Sequence, residues 1–144
     1  MELSYNEFGN LEEGEYEMTL ADFKTTFGYT AHRKRLLEGL DIAISDLLSI
    51  GCTTIYMDGS FITKERFPSD YDLCWDDTGY ELVNVKQQCP RLIDWGPKFS
   101  TMRENYLGEV VPMNSTDFKG DNFYTRLTKD RNGRKKGIIK IIIN

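Results

Sequence analysis

The feature that most constrains the fold is one long amphipathic segment, residues 30–51, with the sequence TAHRKRLLEGLDIAISDLLSIG. Thr30 occupies an N-cap position, and Gly51 stands where a helix would end. Between them apolar residues recur at helical spacing, namely Leu36, Leu37, Leu40, Ala43, Ile44, Leu47 and Leu48. So wide an apolar stripe has to be buried, and we expect this helix to face the core.

Segments with strand character can supply the surface on which that helix packs. Alternation and β-branched content predict strands over residues 53–58, 70–75, 109–113, 123–128 and 137–143. Further helices are expected over residues 19–28 and 96–108, and an irregular segment over residues 1–18. Pro112 indicates an edge strand or a strand end, whereas the run GIIKIII indicates a central strand. The order predicts an α/β (α+β) fold in which helices pack on a mixed sheet.

The composition is that of one ordinary globular domain covering residues 1–144. Of the 144 residues, 40% are hydrophobic and 28% are charged, and no apolar run approaches the roughly 20 residues of a membrane span. The N-terminal residues have no secretory pattern, and the three cysteines form no CxxC pair. A single histidine makes a conventional zinc site unpromising. We therefore expect a cytoplasmic protein with reduced cysteines and no membrane partner.

The segment MDGSFITKERFPSDYDLCWD, residues 57–76, carries the clearest chemical signal. Gly59 and Ser60 follow a predicted strand, and nine residues separate them from Asp70. Asp70 and Asp72 are two positions apart on the next predicted strand, so both project to one face, about 7 Å apart along the strand. Two carboxylates so placed repel each other unless a cation lies between them.

This pairing of residue types suits a metal and a phosphate together. Carboxylate oxygens are the ligands that Mg²⁺ prefers, and Mg²⁺ commonly keeps water and phosphate oxygens as its other ligands. Gly59 allows the backbone to approach an anion, and the following amides and the Ser60 hydroxyl can donate hydrogen bonds to it. The alternative is a solvated acidic pair near an ordinary turn, since either half of the pattern is common by itself.

The same segment resembles the signature of the polymerase-β-like nucleotidyltransferase superfamily: a hydrophobic strand, Gly-Ser, about ten residues and Asp-x-Asp. Within that superfamily it more closely resembles a compact, poorly characterised bacterial branch with a DGSFxT…PxDxD motif. Further matching pieces are LLEGL, YLGEVVP and DRNGRKKGIIKI. The resemblance therefore implies a nucleotidyltransferase-like sheet over nearly the whole chain.

The resemblance also implies roles for particular residues. Gly59 and Ser60 would hold the β- and γ-phosphates of a nucleoside triphosphate, while Asp70 and Asp72 would bind one or two Mg²⁺ ions. A third carboxylate, which helps deprotonate the attacking hydroxyl, usually lies on a later strand. Glu109 is its best positional candidate, although an Asp is more usual there; Asp94 and Asp117 are the fallbacks.

Basic residues offer candidates for binding the triphosphate. Residues 129–137, KDRNGRKKG, form a basic turn before the last predicted strand. Lys136 and Arg131 in that turn, together with Lys64 in the Gly-Ser connector, are our candidates, while a solvated turn and an exposed connector lysine are the alternatives. The cluster HRKR, residues 32–35, opposes the helix dipole and slightly favours an anionic neighbour.

These observations favour a Mg²⁺-dependent nucleotidyltransferase that moves a nucleoside monophosphate from an NTP to a hydroxyl on RNA, protein or a small molecule. By analogy with small members of the superfamily, it would serve a toxin–antitoxin or phage-defence system with a partner toxin or antitoxin. A second hypothesis is a catalytically degenerate module that binds a nucleotide or neutralises a partner protein. A third is a metal-dependent nuclease. The position of Glu109 discriminates between the transferase and the degenerate module. Catalysis requires its carboxylate close enough to Asp70 and Asp72 to bind the same metal ion.

Overall fold

One mixed five-stranded sheet organises the protein. The computed structural model describes residues 3–116 and 119–144. The strands are β1 (Glu15–Met18), β2 (Thr54–Asp58), β3 (Tyr71–Trp75), β4 (Gly108–Pro112) and β5 (Ile138–Ile142). Their spatial order is β1-β5-β2-β3-β4. The two outer pairs, β1 with β5 and β3 with β4, are parallel. The two inner pairs, β5 with β2 and β2 with β3, are antiparallel. The predicted α+β class is confirmed, and the described residues form a single compact domain.

Helices cover the sheet. They are α1 (Leu20–Phe27), α2 (Ala31–Ser49), α3 (Leu82–Gln88), α4 (Ser100–Tyr106) and α5 (Phe123–Leu127). The predicted N-caps of α1 and α2 are confirmed, because the Thr19 and Thr30 side chains accept hydrogen bonds from the backbone amides of Asp22 and Arg33. No helix among the described residues has both the length and the apolar character needed to cross a membrane.

The two faces of the sheet differ. Alternate strand residues such as Ile55, Leu73 and Val110 enter the main core together with α1, α2 and α4. The opposite face carries a smaller apolar cluster under α5, made of Tyr56, Cys74, Val111, Phe123, Leu127 and Ile138. The strand residues Asp58, Asp72 and Glu109 alternate with the main-core residues and therefore project from this second face.

Helix α4 is held close to α2 at Gly39. A Cβ at Gly39 would overlap the Tyr106 carbonyl oxygen, so a residue without a side chain is required for this approach. Tyr71 of β3 donates a hydrogen bond to the same carbonyl at 2.9 Å. These contacts fix the end of α4 directly before Gly108, the first residue of β4.

Three expectations about secondary structure were wrong or incomplete. Residues 123–128 were expected to form a strand but contain α5, which begins because the Asn122 side chain accepts a hydrogen bond from the Thr125 amide. Residues 1–18 were expected to be irregular, yet β1 pairs with β5. The helix expected over 96–108 is a 3₁₀ turn, Pro97–Phe99, followed by the shorter α4. By contrast, β5 is central and β4 is an edge strand, as expected.

Candidate active site

Parallel pairing of β3 with β4 brings the predicted carboxylates together. Asp72 is paired with Glu109 in the strand register, and Asp70 directly precedes β3. One carboxylate oxygen from each of Asp70, Asp72 and Glu109 lies within 4.8 Å of the other two. We refer to these three residues as the acidic cluster. The structure thus places Glu109, the preferred third acid, at the predicted pair.

Asp94, one of the two fallback acids, does not extend this cluster. Asp94 is exposed and follows the 3₁₀ turn Pro90–Leu92, outside the group of neighbouring carboxylates. Asp117 lies outside the described residues.

The Gly-Ser turn is in direct contact with the acidic cluster. Gly59 connects β2 to a 3₁₀ turn, Ser60–Ile62, and has a positive φ of 81°. A Cβ at this position would overlap Asp72 Oδ2. Thr63 closes the turn through its hydroxyl, which donates to the Ser60 carbonyl oxygen at 2.6 Å. Glycine is therefore required both by the backbone conformation and by the closeness of the carboxylate.

The electrostatics of the cluster favour a cation. Burial, followed by the hydrogen bond and negative charge of Glu109, raises the pKa of Asp72 well above its ordinary value. Burial and the charge of Glu109 also raise the pKa of Asp70. Both carboxylates are thus costly to ionise together without a positive partner.

One arginine partly neutralises the cluster. Arg103, on α4, donates from Nε to Asp70 Oδ2 at 3.1 Å, and its side chain is 43% exposed. This contact opposes, without overcoming, the increase in the pKa of Asp70. Sequence reasoning missed Arg103, since no spacing along the chain relates a residue of α4 to the residue before β3.

A fourth carboxylate, also missed, lies beside the cluster. Asp58 is paired with Asp72 across β2 and β3. Asp58 Oδ2 lies 3.0 Å from Lys136 Nζ, while its buried Oδ1 has no hydrogen-bond partner among the described residues. Burial raises the pKa of Asp58 to about 6 despite this lysine. The sequence did contain a signal for Asp58 at the site, because this residue directly precedes Gly59 of the Gly-Ser turn.

The three predicted phosphate-binding cations are placed differently. Lys136 lies at the site edge, bound to Asp58 as described. Lys64 instead has its ammonium 5.2 Å from the centroid of the Tyr5 ring and borders another cleft. Arg131 is exposed in the turn between Asp130 and Arg134. Only Lys136 of the three has a described contact with the acidic residues, and binding of phosphate by any of them stays a prediction.

Two residues of the basic cluster at the start of α2 have a structural role, while for the exposed Lys34 and Arg35 an anionic neighbour stays a prediction. Arg33 is fully buried and donates hydrogen bonds to the backbone carbonyls of Phe27, Phe61, Thr63 and Glu65. His32 contacts the Pro68 carbonyl through Nε2. Helix α2 therefore anchors residues 61–68, the connector that leads from the Gly-Ser turn to Asp70.

Comparison with known proteins identifies a family rather than an activity. No curated protein and no solved structure matches the chain significantly. One family model, described as "Family of unknown function (DUF6932)", matches residues 3–142. Because this match covers nearly the entire chain, the protein belongs to the DUF6932 family.

Proposed function

We propose that this protein is a Mg²⁺-dependent nucleotidyltransferase, which transfers a nucleoside monophosphate from an NTP to a hydroxyl on RNA, protein or a small molecule. The observation that carries the proposal is the third carboxylate: Glu109 has an oxygen within 4.8 Å of those of Asp70 and Asp72. The contact of Gly59 with Asp72 supports it, because a phosphate-binding turn and a metal site have to be adjacent for this chemistry.

The residues present fit a divalent metal ion. Three carboxylates offer hard oxygen ligands. Burial and the negative charge of Glu109 raise the pKa values of Asp70 and Asp72 even with Arg103 present, so a further cation would stabilise the ionised cluster. Mg²⁺ bound there would supply Lewis-acid stabilisation of the charge that develops on the phosphates during transfer. Asp70, Asp72 and Glu109 would hold it.

The protein groups have separable tasks in the proposed reaction. The backbone at Gly59 and the Ser60 hydroxyl would orient the triphosphate, with Lys136 as a nearby positive charge. Glu109 would accept the proton of the attacking hydroxyl. The acceptor oxygen then forms a bond to the α-phosphorus, and the bond from that phosphorus to the bridging oxygen of pyrophosphate breaks, so pyrophosphate leaves with the electron pair.

Cytoplasmic location and a role beside a partner toxin or antitoxin belong to the same proposal.

Radiolabel transfer tests the proposal directly. The protein is incubated with each α-³²P-labelled NTP and Mg²⁺, together with total RNA and cell lysate. We expect label on a macromolecule or small acceptor with the wild-type protein, and none with Asp70→Ala/Asp72→Ala. Asp94→Ala, which removes an exposed acid outside the cluster, is the matched control and should transfer normally.

Glu109→Gln separates catalysis from binding. We expect the amide to keep the shape of the side chain but to lose proton acceptance, so transfer falls by about 10²- to 10⁴-fold. Binding of NTP, measured by equilibrium dialysis at saturating Mg²⁺, should change far less, since Asp70 and Asp72 remain to hold the metal. Mg²⁺-dependent NTP binding without transfer by the wild-type protein would instead establish the nucleotide-binding module. Mg²⁺-dependent degradation of the RNA would establish the nuclease.

A further inference from the structure

We propose that Arg103 competes with the divalent cation for Asp70, and that the displaced guanidinium then binds the triphosphate. This inference rests on the proposed function and adds to it a residue that couples metal binding to nucleotide binding.

The first part of the inference follows from the contact itself. Arg103 Nε donates to Asp70 Oδ2 at 3.1 Å, and Asp70 contributes one of the three neighbouring oxygens of the acidic cluster. A cation ligated by all three carboxylates would therefore compete with Arg103 for the negative charge of the Asp70 carboxylate. Arginine stays protonated at any pH relevant here, so it cannot leave by losing its charge; it has to move.

The surroundings of Arg103 allow that movement. Its side chain is 43% exposed, compared with 20% for Asp70. The neutral variant of an exposed ion pair typically loses little stability, so the protein does not depend on this contact for folding. Arg33 offers the contrast, because it is fully buried and bound to several carbonyls and therefore cannot be released.

A released Arg103 remains tethered beside the site by α4. Arginine presents a planar set of N–H donors that matches the geometry of phosphate oxygens. Among the predicted phosphate ligands, Lys136 is already bound to Asp58 and Lys64 lies over Tyr5. Among the described residues, Arg103 combines contact with the acidic cluster and a half-exposed side chain. A residue that binds a triphosphate entering from solvent needs both properties.

The test compares Arg103→Gln with Arg35→Gln. Both variants remove one positive charge, but Arg35 is an exposed residue of α2. Mn²⁺ serves as the metal probe, and its binding to the metal-free proteins is followed by electron paramagnetic resonance. We expect Arg103→Gln to bind Mn²⁺ about threefold more tightly than Arg35→Gln, a ratio typical of the loss of one exposed ion pair. Circular dichroism and thermal unfolding confirm that both variants are folded.

A second arm uses inorganic triphosphate in the presence of saturating Mn²⁺. Arg103→Gln should bind it about tenfold more weakly than Arg35→Gln, because a charge-assisted bond to phosphate is lost. Opposite effects on the two ligands are the signature of a residue that moves from one to the other, and a purely structural role would weaken both.

The outcomes separate the two proposals. Mn²⁺ binding that is equal in the two variants, or weaker in Arg103→Gln, overturns the competition while leaving the metal site intact. Unchanged triphosphate binding overturns the transfer of Arg103 to phosphate. Absence of Mn²⁺ binding in the wild-type protein and in both variants overturns the metal site itself, and this inference with it. Binding that appears only in Arg103→Gln would be its strongest support.

Discussion

At the scale of single residues, the site is built from carboxylates that the sequence identifies only in part. Strand alternation correctly predicted that Asp70 and Asp72 share a face, and the resemblance selected Glu109, which the structure places beside them. Asp58 and Arg103 were not predictable in the same way. Their proximity depends on the register between β2 and β3 and on the position of α4, which periodicity within one segment cannot determine.

Gly59→Ala is the sharpest residue-scale prediction. Alanine would have to adopt a φ of about 81° and would overlap Asp72 Oδ2. Gly79→Ala is the matched control, because Gly79 has a φ of 86° and no atom lies within 4 Å of the point that a Cβ would occupy there. The conformation alone should cost each variant about 1 kcal/mol in the free energy of unfolding.

Because of the overlap with Asp72, Gly59→Ala should lose at least about 1 kcal/mol more free energy of unfolding than Gly79→Ala. Urea unfolding measures both values. Mn²⁺ affinity should fall in Gly59→Ala alone. Equal unfolding free energies for the two variants would show that Asp72 can move away from residue 59 at little cost.

At the scale of elements, the connector from the Gly-Ser turn to β3 begins with one 3₁₀ turn, and along the rest of its length it is held by α2. Its backbone carbonyls at Phe61, Thr63 and Glu65 are satisfied by Arg33. A buried arginine in the first turn of a helix gives no sequence signal that separates it from its exposed neighbours Lys34 and Arg35. The contact could therefore be found only in three dimensions.

Arg33→Met should release this connector. Loss of the guanidinium leaves the buried carbonyls of Phe27 and Phe61 without this donor and removes the part-buried bonds to two further carbonyls. We expect the free energy of unfolding to fall by about 3 kcal/mol or more. Under native conditions trypsin should then cut faster after Lys64 and Arg66, both exposed, than after Lys86, an exposed residue of α3. Mass spectrometry identifies the cuts.

Arg35→Met is the control for this experiment, since it removes an exposed arginine from the same helix. It should leave the ratio of cuts unchanged. Uniform acceleration at all three sites in Arg33→Met would mean that the arginine stabilises the whole domain and does not specifically hold the connector.

The errors in element assignment have physical causes. Helix α5 has only five residues, Phe123–Leu127, too few for a helical period to be visible against their aromatic and β-branched content. Strand β1 was hidden by its acids, since Glu15 and Glu17 occupy an exposed edge. Helix α3 was not expected at all. The long, strongly periodic α2 and the β-branched β5 were assigned correctly, because burial of a whole face determines their pattern.

At the scale of the whole molecule, the carboxylates of the site should give stability an unusual pH dependence. The pKa of Asp58 is raised to about 6 by burial, and that of Asp72 is raised as well. A carboxyl with a raised pKa in the folded state binds protons more tightly there than in the unfolded chain. The stabilising effect of that proton is complete at pH values below the pKa of the carboxyl in the unfolded chain. It is lost as the pH rises from there through the higher pKa of the folded state.

We therefore expect the metal-free protein to lose stability from about pH 4, near the ordinary pKa of an aspartate, to about pH 7, above the folded-state pKa of Asp58. Asp58 alone contributes on the order of 3 kcal/mol to this loss. Below this range the sign reverses, because hydrogen bonds from Arg91 and Tyr106 lower the pKa of Asp46 against the effect of its burial, and its protonation removes that stabilisation. Urea unfolding in EDTA across this range measures the profile.

Asp58→Asn should flatten that profile, and saturating Mg²⁺ should reduce the loss near pH 7 by binding the ionised carboxylates of the folded state. A metal-free stability that rises from pH 5 to pH 7 would contradict the assignment of raised pKa values to this site.

The position of β5 has a consequence for synthesis of the chain. β5 lies between β1 and β2, yet in the sequence it follows the other four strands of the described residues. During translation β2, β3 and β4 can pair while β5 is still within the ribosome, so the three acids can come together before Lys136 reaches Asp58. Until then β2 presents an open backbone edge to other chains. The nascent protein is thus most prone to aggregate in the interval between the emergence of β2 and that of β5.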